Sequence, residues 1–202
     1  MTVEWILTPE RIYGAMGLVA AYAGMCWGIG TKVRKQRLAD EAESKASQGD
    51  AAAPAVLVAY ASQTGQAEAL ARATGKMLVD GGLQVRLLPV EKLTAELLQQ
   101  YAHSLWLLST TGEGDAPDHA LGFVQQLMAT QPALTQHQSL VLALGDREYQ
   151  EFCAFGVQVH EWLQTSGARS DLVCVDNMDA SSLQSWQTQV AQLRQDLLGA
   201  AA

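Results

Sequence analysis

From Ala55 onward the chain alternates two patterns. Short continuous apolar runs are separated by longer stretches in which apolar residues recur every three or four positions. The runs Val56–Tyr60, Gln84–Pro89, Leu105–Ser109, Leu140–Leu144 and Leu172–Val175 read as strands. The stretches between and after them predict helices over Gln66–Val79, Thr94–Tyr101, Asp118–Ala129, Glu148–Ser166 and Ser182–Leu198. Asp80-Gly81-Gly82 supplies a stop for the first helix. The central strands are apolar throughout, so both of their faces must be covered. Together with the strand–helix alternation, this predicts an α/β fold of three layers around a mostly parallel five-stranded sheet. Ligands of such sheets bind beyond the carboxyl ends of the strands. The loops 61–67, 109–118 and 144–153 leave those ends and carry unusual residues.

The N-terminal quarter has a different pattern. No charged residue occurs over positions 12–31, between Arg11 and Lys32. As a helix, a stretch of that length spans about 30 Å, the thickness of a hydrocarbon core. It is rich in small residues, with Gly24 and Gly28 forming a GxxxG and Ala20 one turn earlier. Trp5, Tyr13 and Trp27 are placed for the two interfaces. Lys32, Arg34, Lys35 and Arg37 follow directly, which orients that end toward the cytoplasm. Glu4 and Glu10 argue against a secretory signal. The expectation is a short extracytoplasmic N-terminus (1–11), a single transmembrane helix (12–31), a basic flank and flexible linker (32–54), and a cytoplasmic domain (55–200). That is the topology of a single-pass protein of a bacterial inner membrane.

Charge sharpens this division. Residues 1–50 hold six acids and six bases, whereas residues 51–202 hold fifteen acids and seven bases, a balance of −8. An acidic domain is poorly suited to nucleic acid and better suited to a basic protein partner. Cys26, Cys153 and Cys174 are widely separated in sequence and suggest neither a disulfide framework nor a metal site. The four histidines are equally scattered and receive no chemistry.

The first loop, Ser62-Gln63-Thr64-Gly65-Gln66-Ala67, joins a strand to a helix N-terminus. Backbone N–H groups there point at an anion, and Ser62 and Thr64 add hydroxyls. It holds no lysine, so it suits a single phosphate group rather than a triphosphate. In the second loop, Ser109-Thr110-Thr111-Gly112-Glu113-Gly114-Asp115, two glycines allow positive φ and a close approach of backbone to a ring, with Gly112 presenting a carbonyl. Read alone, it is equally a turn leading to a helix capped by Asp118. In the third, Gly145 permits a tight exit from the strand, and Tyr149 at the start of the next helix can lay its ring on a flat ligand or serve as ordinary core. Phe152 and Cys153 read by themselves as core.

Taken together, Ser62-Gln63-Thr64-Gly65, Thr110-x-Gly112-Glu113-Gly114-Asp115 and Leu144-Gly145-Asp146-x-x-Tyr149-x-x-Phe152-Cys153 resemble the FMN-binding domain of the diflavin reductases, the family of the sulfite reductase flavoprotein and cytochrome P-450 reductase. The resemblance runs over about residues 55–198. It implies a flavodoxin-like fold with strand order 2-1-3-4-5 and non-covalent FMN. It puts Ser62, Gln63, Thr64, Gly65, Gln66 and Ala67 around the phosphate, and Ser109, Thr110, Thr111 and Gly112 along one ring edge and face. Leu144, Gly145, Asp146, Arg147, Glu148, Tyr149, Gln150, Glu151, Phe152 and Cys153 would cover the other face, with Asp176 near the flavin or ribityl chain. Thr111 stands where the cytochrome P-450 reductase pattern has an aromatic, so one flavin face would lack a stacking ring.

The resemblance implies electron transfer, with the cofactor carrying the chemistry and no catalytic acid, base or nucleophile. The expected donor is an FAD- and NADPH-dependent reductase or reductase domain. The expected acceptor is a basic-faced redox protein, such as a haem protein or a membrane-embedded one, steered by Glu113, Asp115, Asp118, Asp146, Glu148 and Glu151. Two alternatives stay open: the FMN module of an NADPH-dependent diflavin reductase whose FAD/NADPH half is missing from this chain, and a membrane scaffold with the fold but no redox role.

Overall fold

The computed structural model describes residues 53–200. Five strands form one parallel sheet: β1 (Ala55–Ala61), β2 (Gln84–Pro89), β3 (His103–Ser109), β4 (Gln138–Gly145) and β5 (Arg169–Asp176), in the order β2-β1-β3-β4-β5. The helices are α1 (Gln66–Asp80), α2 (Ala95–Gln99), α3 (Leu121–Gln126), α4 (Ala154–Thr165) and α5 (Ala180–Ala200), with 3₁₀ turns at Val90–Lys92 and Asp118–Ala120. The span expected over 12–31 and nearly all of the linker lie outside the described residues. Among the described residues, no helix is long and apolar enough to cross a membrane.

Alternation along the strands builds two cores. Leu57, Ala59, Trp106, Leu108 and Val141 face α2, α3 and α4, meeting Leu98, Phe123, Phe155 and Val159. Val56, Val58, Leu105, Leu107 and Leu142 face α1 and α5, meeting Ala71, Leu78, Trp186 and Val190. Trp106, Phe123 and Trp162 close the first core as a cluster of tilted and edge-on rings, with centroids 5.7–6.2 Å apart. Gly156 lets α4 press its backbone onto Ala143 of β4, where a Cβ would collide with the Ala143 side chain. The predicted stop after α1 forms as expected: the N–H groups of Gly81, Gly82 and Leu83 return to carbonyls of Met77, Val79 and Leu78, with Gly82 at φ 90°.

At the amino ends of the strands a buried polar chain fills the gap between β3 and β4. Trp106 Nε1–H donates to Ser104 Oγ at 2.7 Å, Ser104 lies 2.6 Å from His137 Nε2, and His137 Nδ1 lies 2.7 Å from the Tyr101 carbonyl. With Ser104 Oγ accepting from the indole, its hydroxyl donates to Nε2, which leaves the proton on Nδ1 to meet the carbonyl. Burial holds the imidazole below its ordinary pKa, keeping it neutral.

Two local expectations are corrected. The helix expected from Glu148 begins at Ala154. Asp146 diverts the chain first, accepting the Glu148 N–H on its side chain (2.8 Å) and the Tyr149 N–H on its carbonyl (3.2 Å), and Cys153 then adopts φ 58°, which no helix interior tolerates. Tyr149 therefore sits in a loop rather than on a helix. Asp118 caps nothing: Pro117 precedes the 3₁₀ turn, and the Asp118 carboxylate accepts instead from Gln63 Nε2 at 3.4 Å. Cys153 and Cys174 are both free, in keeping with the absence of a disulfide framework in the sequence reading, and the Cys153 sulfur reaches the carbonyl of Ala143, the strand partner of Cys174.

Candidate functional site

Three loops close on one cleft at the carboxyl end of the sheet. The first follows β1. Ser62 Oγ accepts the Gly65 N–H at 3.0 Å, tightening the turn, and Gly65 takes φ 89°, a left-handed conformation that favours glycine. No side chain caps α1, and a Cβ on Gly65 would meet nothing within 4 Å. The first-turn N–H groups of a fifteen-residue helix thus open on free space, with the positive end of the helix dipole behind them. The loop is braced from its neighbour: Gln63 N–H donates to Ser109 Oγ (3.3 Å), Ser109 Oγ–H donates to the Ala61 carbonyl (3.1 Å), and Ser62 N–H donates to His119 Nε2 (3.4 Å).

The second loop turns back on itself. Thr111 and Asp115 exchange backbone hydrogen bonds of 2.9 and 2.8 Å, and Gly112 (φ 51°) and Gly114 (φ 115°) make the reversal. It is anchored by the Thr110 N–H on the Leu144 carbonyl at 2.9 Å. A Cβ on Gly114 would come within 2.8 Å of Glu151 Cβ, so this loop packs directly on the third. The third loop holds its shape through the Asp146 turn, the Arg147 N–H on Asp176 Oδ1 (3.1 Å) and the Arg147 guanidinium over the Phe152 ring (5.3 Å to centroid). Gly145 allows the loop to fold back, since a Cβ there would lie 2.7 Å from the Cys153 nitrogen.

The cleft between them has a volume of about 360 Å³, within the range of small-molecule sites. Of the residues singled out in the sequence, Gln63, Thr64, Gln66, Ser109, Thr110, Thr111, Gly112, Leu144, Gly145, Asp146, Tyr149, Glu151 and Cys153 line it. Ser62, Gly65, Arg147, Phe152 and Asp176 stand behind the lining and fix its shape. Ala67 is buried in the core beneath α1, and Glu148 and Gln150 are exposed outside the lining. Two lining residues escaped the sequence reading: Asn177 and Met178, which follow β5 at φ 43° and 62°. Asn177 N–H donates to the Gly145 carbonyl at 3.1 Å, tying this fourth segment to the third loop. The adjacent Asp176-Asn177 was the available signal, because asparagine tolerates a left-handed turn.

The donor set fits a flat heteroaromatic ligand carrying an anion. Thr110 Oγ1 lies on the cleft, buried and without a hydrogen-bond partner, a position that an acceptor or donor on a ring edge would satisfy. Tyr149 stands at the rim with 47% of its surface exposed, an aromatic ring that the protein leaves uncovered. The uncapped α1 terminus is of the kind that accepts an anion.

The sequence profile of the flavodoxin family matches residues 58–187, which include all three loops. The chain belongs to the flavodoxin family. Flavodoxin domains bind FMN, the cofactor of this one as well. The chain is 31% identical over 191 residues to the sulfite reductase [NADPH] flavoprotein alpha-component of Vibrio cholerae, covering 91% of this chain and 30% of that protein. To its counterpart in Bacillus subtilis it is 38% identical over 125 residues, 59% of this chain and 21% of that one. It thus spans less than a third of these relatives' length. Among solved structures, a cysteine-to-alanine mutant of flavodoxin from Pseudomonas aeruginosa superposes with a TM-score of 0.60 at 26% identity, covering 71% of this chain and 98% of that one. The strand order and the α/β layering of this flavodoxin domain are those expected from the sequence.

Proposed function

We propose that the chain is a membrane-tethered electron-transfer module that holds FMN at the cytoplasmic face and relays electrons from an FAD- and NADPH-dependent reductase to a basic-faced redox acceptor. The observation that carries the reading is the continuity of one cleft, from an uncapped helix N-terminus past the unpartnered Thr110 hydroxyl to the exposed ring of Tyr149. When bound, FMN supplies the redox chemistry through its ring system. The protein's own groups have simpler tasks. The N–H groups of the 62–66 loop, with Thr64, would hold the phosphate. Thr110 and the 109–112 backbone would meet the ring edge, and Tyr149 would cover a ring face while leaving the other rim open to a partner.

The surroundings of the cleft favour a basic partner. Glu113, Asp115, Asp118, Glu148 and Glu151 are exposed in the loops and Asp146 is half-buried among them, while Arg147, the cation of these loops, is drawn toward Asp176 at 3.7 Å. A field of this sign steers basic surfaces toward the site. The uncharged stretch 12–31 and the basic cluster after it support a tether, which would confine the domain near membrane-bound acceptors.

Fractionation tests the whole reading. The full chain should sediment with membranes, and its detergent extract should be yellow with about one FMN per chain. Deleting residues 1–50 should leave the colour and move it to the soluble fraction. A colourless full-length protein would remove the electron-transfer role, and a full chain found in the soluble fraction would remove the tether. The similarity to sulfite reductase flavoproteins supports a second reading, in which the module works as one part of an NADPH-dependent diflavin reductase. NADPH-driven reduction of its flavin on adding a separate FAD-containing reductase would support the relay.

A further inference from the structure

Two thiols lie near each other under the third loop, and the electron-transfer reading gives them no redox task, although Cys153 also lines the cleft. Cys174 lies on β5 in register with Ala143 of β4. Cys153 precedes α4, and its sulfur reaches down onto the same two strands, 3.2 Å from the Ala143 carbonyl and 3.9 Å from the Val175 carbonyl. One of these carbonyls belongs to the register partner of Cys174 and the other to its neighbour, so they bracket it. Side chains alternate along a strand. Val175 packs in the core under α1 and α5, and Leu172 packs on the opposite side, so Cys174 shares the face that α4 covers. Cys153 descends onto that face, which sets its sulfur on the carbonyl of Ala143, the strand partner of Cys174. Both are free; Cys153 is buried and Cys174 half-buried.

The pair is chemically unequal. The neighbouring Cys153 thiol, opposed by burial and assisted by the Arg147 guanidinium, draws the Cys174 thiol down to about 7. Cys174 in turn, together with burial, pushes the Cys153 thiol far above the usual range. A thiolate-prone sulfur against a protonated one is the arrangement of an attacking thiol and its resolving partner.

We propose that Cys153 and Cys174 form a redox-active dithiol that closes to an intramolecular disulfide when a hydroperoxide reaches Cys174. In the first step the Cys174 sulfur attacks the peroxide. An S–O bond forms, the O–O bond breaks, and the alkoxide leaves as the alcohol after taking a proton, so Cys174 becomes a sulfenic acid, oxidised by two electrons. In the second, the Cys153 sulfur attacks Cys174. An S–S bond forms, the S–O bond breaks, and the departing hydroxide takes the Cys153 proton to leave as water. Two thiols and one hydroperoxide give one disulfide, one alcohol and one water. The cross-link fastens the end of the third loop to β5, and a dithiol reductant reverses it by exchange. The inference does not depend on the cofactor.

The full chain treated with hydrogen peroxide, alkylated and digested with trypsin provides the test, because Arg147, Arg169 and Arg194 place the two cysteines on separate peptides, 148–169 and 170–194. The expected product is these two peptides joined, two hydrogens lighter than their sum and separated again by dithiothreitol. Cys174→Ser should abolish the product and leave Cys153 open to alkylation after denaturation. Cys153→Ala should strand Cys174 as a sulfenic acid that dimedone labels. The proposal is overturned if wild-type protein keeps both thiols alkylatable at peroxide levels that oxidise its methionines, if Cys174 passes to the sulfinic acid without a link, or if Cys26 supplies the partner instead.

Discussion

The two ends of the sheet dispose their polar groups differently, although the amino end also holds His103 Nδ1 and Ser166 Oγ buried without a partner. At the amino end, Ser104, Trp106, His137 and the Tyr101 carbonyl form a closed relay in which each donor finds one acceptor, deep between β3 and β4. At the carboxyl end, the Thr110 hydroxyl is buried without a partner, α1 has no side-chain cap, and Tyr149 lies uncovered. Backbone geometry divides the same way. The non-glycine residues with positive φ among those described, Cys153, Asn177 and Met178, all lie around the cleft. Buried polar groups left open cost stability unless something else fills them, and strained backbone persists only where the surroundings enforce it. What sets the carboxyl end apart is convergence: its open hydroxyl, uncapped helix, uncovered ring and left-handed backbone surround one cleft, whereas the unpartnered atoms of the amino end surround none of the described cleft.

Substitutions at either end should therefore separate folding from binding. The largest effect is expected for Gly65→Glu. A side chain at φ 89° is strained, and a carboxylate at the α1 terminus repels a phosphate. FMN affinity should fall by about 3 kcal/mol, or roughly a hundredfold, with circular dichroism unchanged. Binding that survives intact would place the phosphate elsewhere. Ser104→Ala is the converse. It leaves the indole of Trp106 and Nε2 of His137 unpartnered, so urea unfolding should show a loss of about 2 kcal/mol while the FMN content stays at the wild-type level. Loss of flavin with unchanged stability would reverse the assignment of the two ends.

The relay also predicts a pH dependence. Burial depresses the folded-state pKa of His137 below its ordinary 6.5, so the unfolded chain binds the proton more readily. Its contribution is fully present above pH 6.5 and is lost as pH falls below that value, at up to about 1.4 kcal/mol per pH unit. His137→Leu should flatten the decline in urea midpoint between neutral and mildly acidic pH, and an undiminished slope would assign the effect to other groups, His103 among them, which burial shifts the same way. The smallest effect is expected for Tyr149→Ala. Removing the exposed ring should weaken FMN binding by about 1 kcal/mol and raise the residual fluorescence of bound flavin, with stability unchanged.

Much of this contrast was legible in the sequence. Continuous apolar runs revealed five strands buried on both faces, and the glycines of the second loop announced the positive φ that Gly112 and Gly114 adopt. What the chain conceals depends on pairings distant in sequence. His137 and Ser104 look unrelated until the β3–β4 register sets them together, and Cys153 reaches the strand partner of Cys174 only because the third loop folds back at Gly145. Residues Glu148–Phe152 have a helical composition, and only the Asp146 turn and the backbone of Cys153 keep them out of a helix. Met178 carries no local signal for a left-handed turn and takes one because the Asn177 N–H is bound to the Gly145 carbonyl.

The most direct test of the account is a fluorescence titration of the flavin-free protein with FMN and, separately, with riboflavin. An anion seat at the α1 terminus joined to a ring site at Thr110 and Tyr149 predicts stoichiometric quenching by FMN and binding of riboflavin weaker by about tenfold or more, because charge-assisted hydrogen bonds to a phosphate are worth more than one such factor. Equal affinity for the two would contradict the seat, and no binding of either would contradict the cleft as a flavin site altogether.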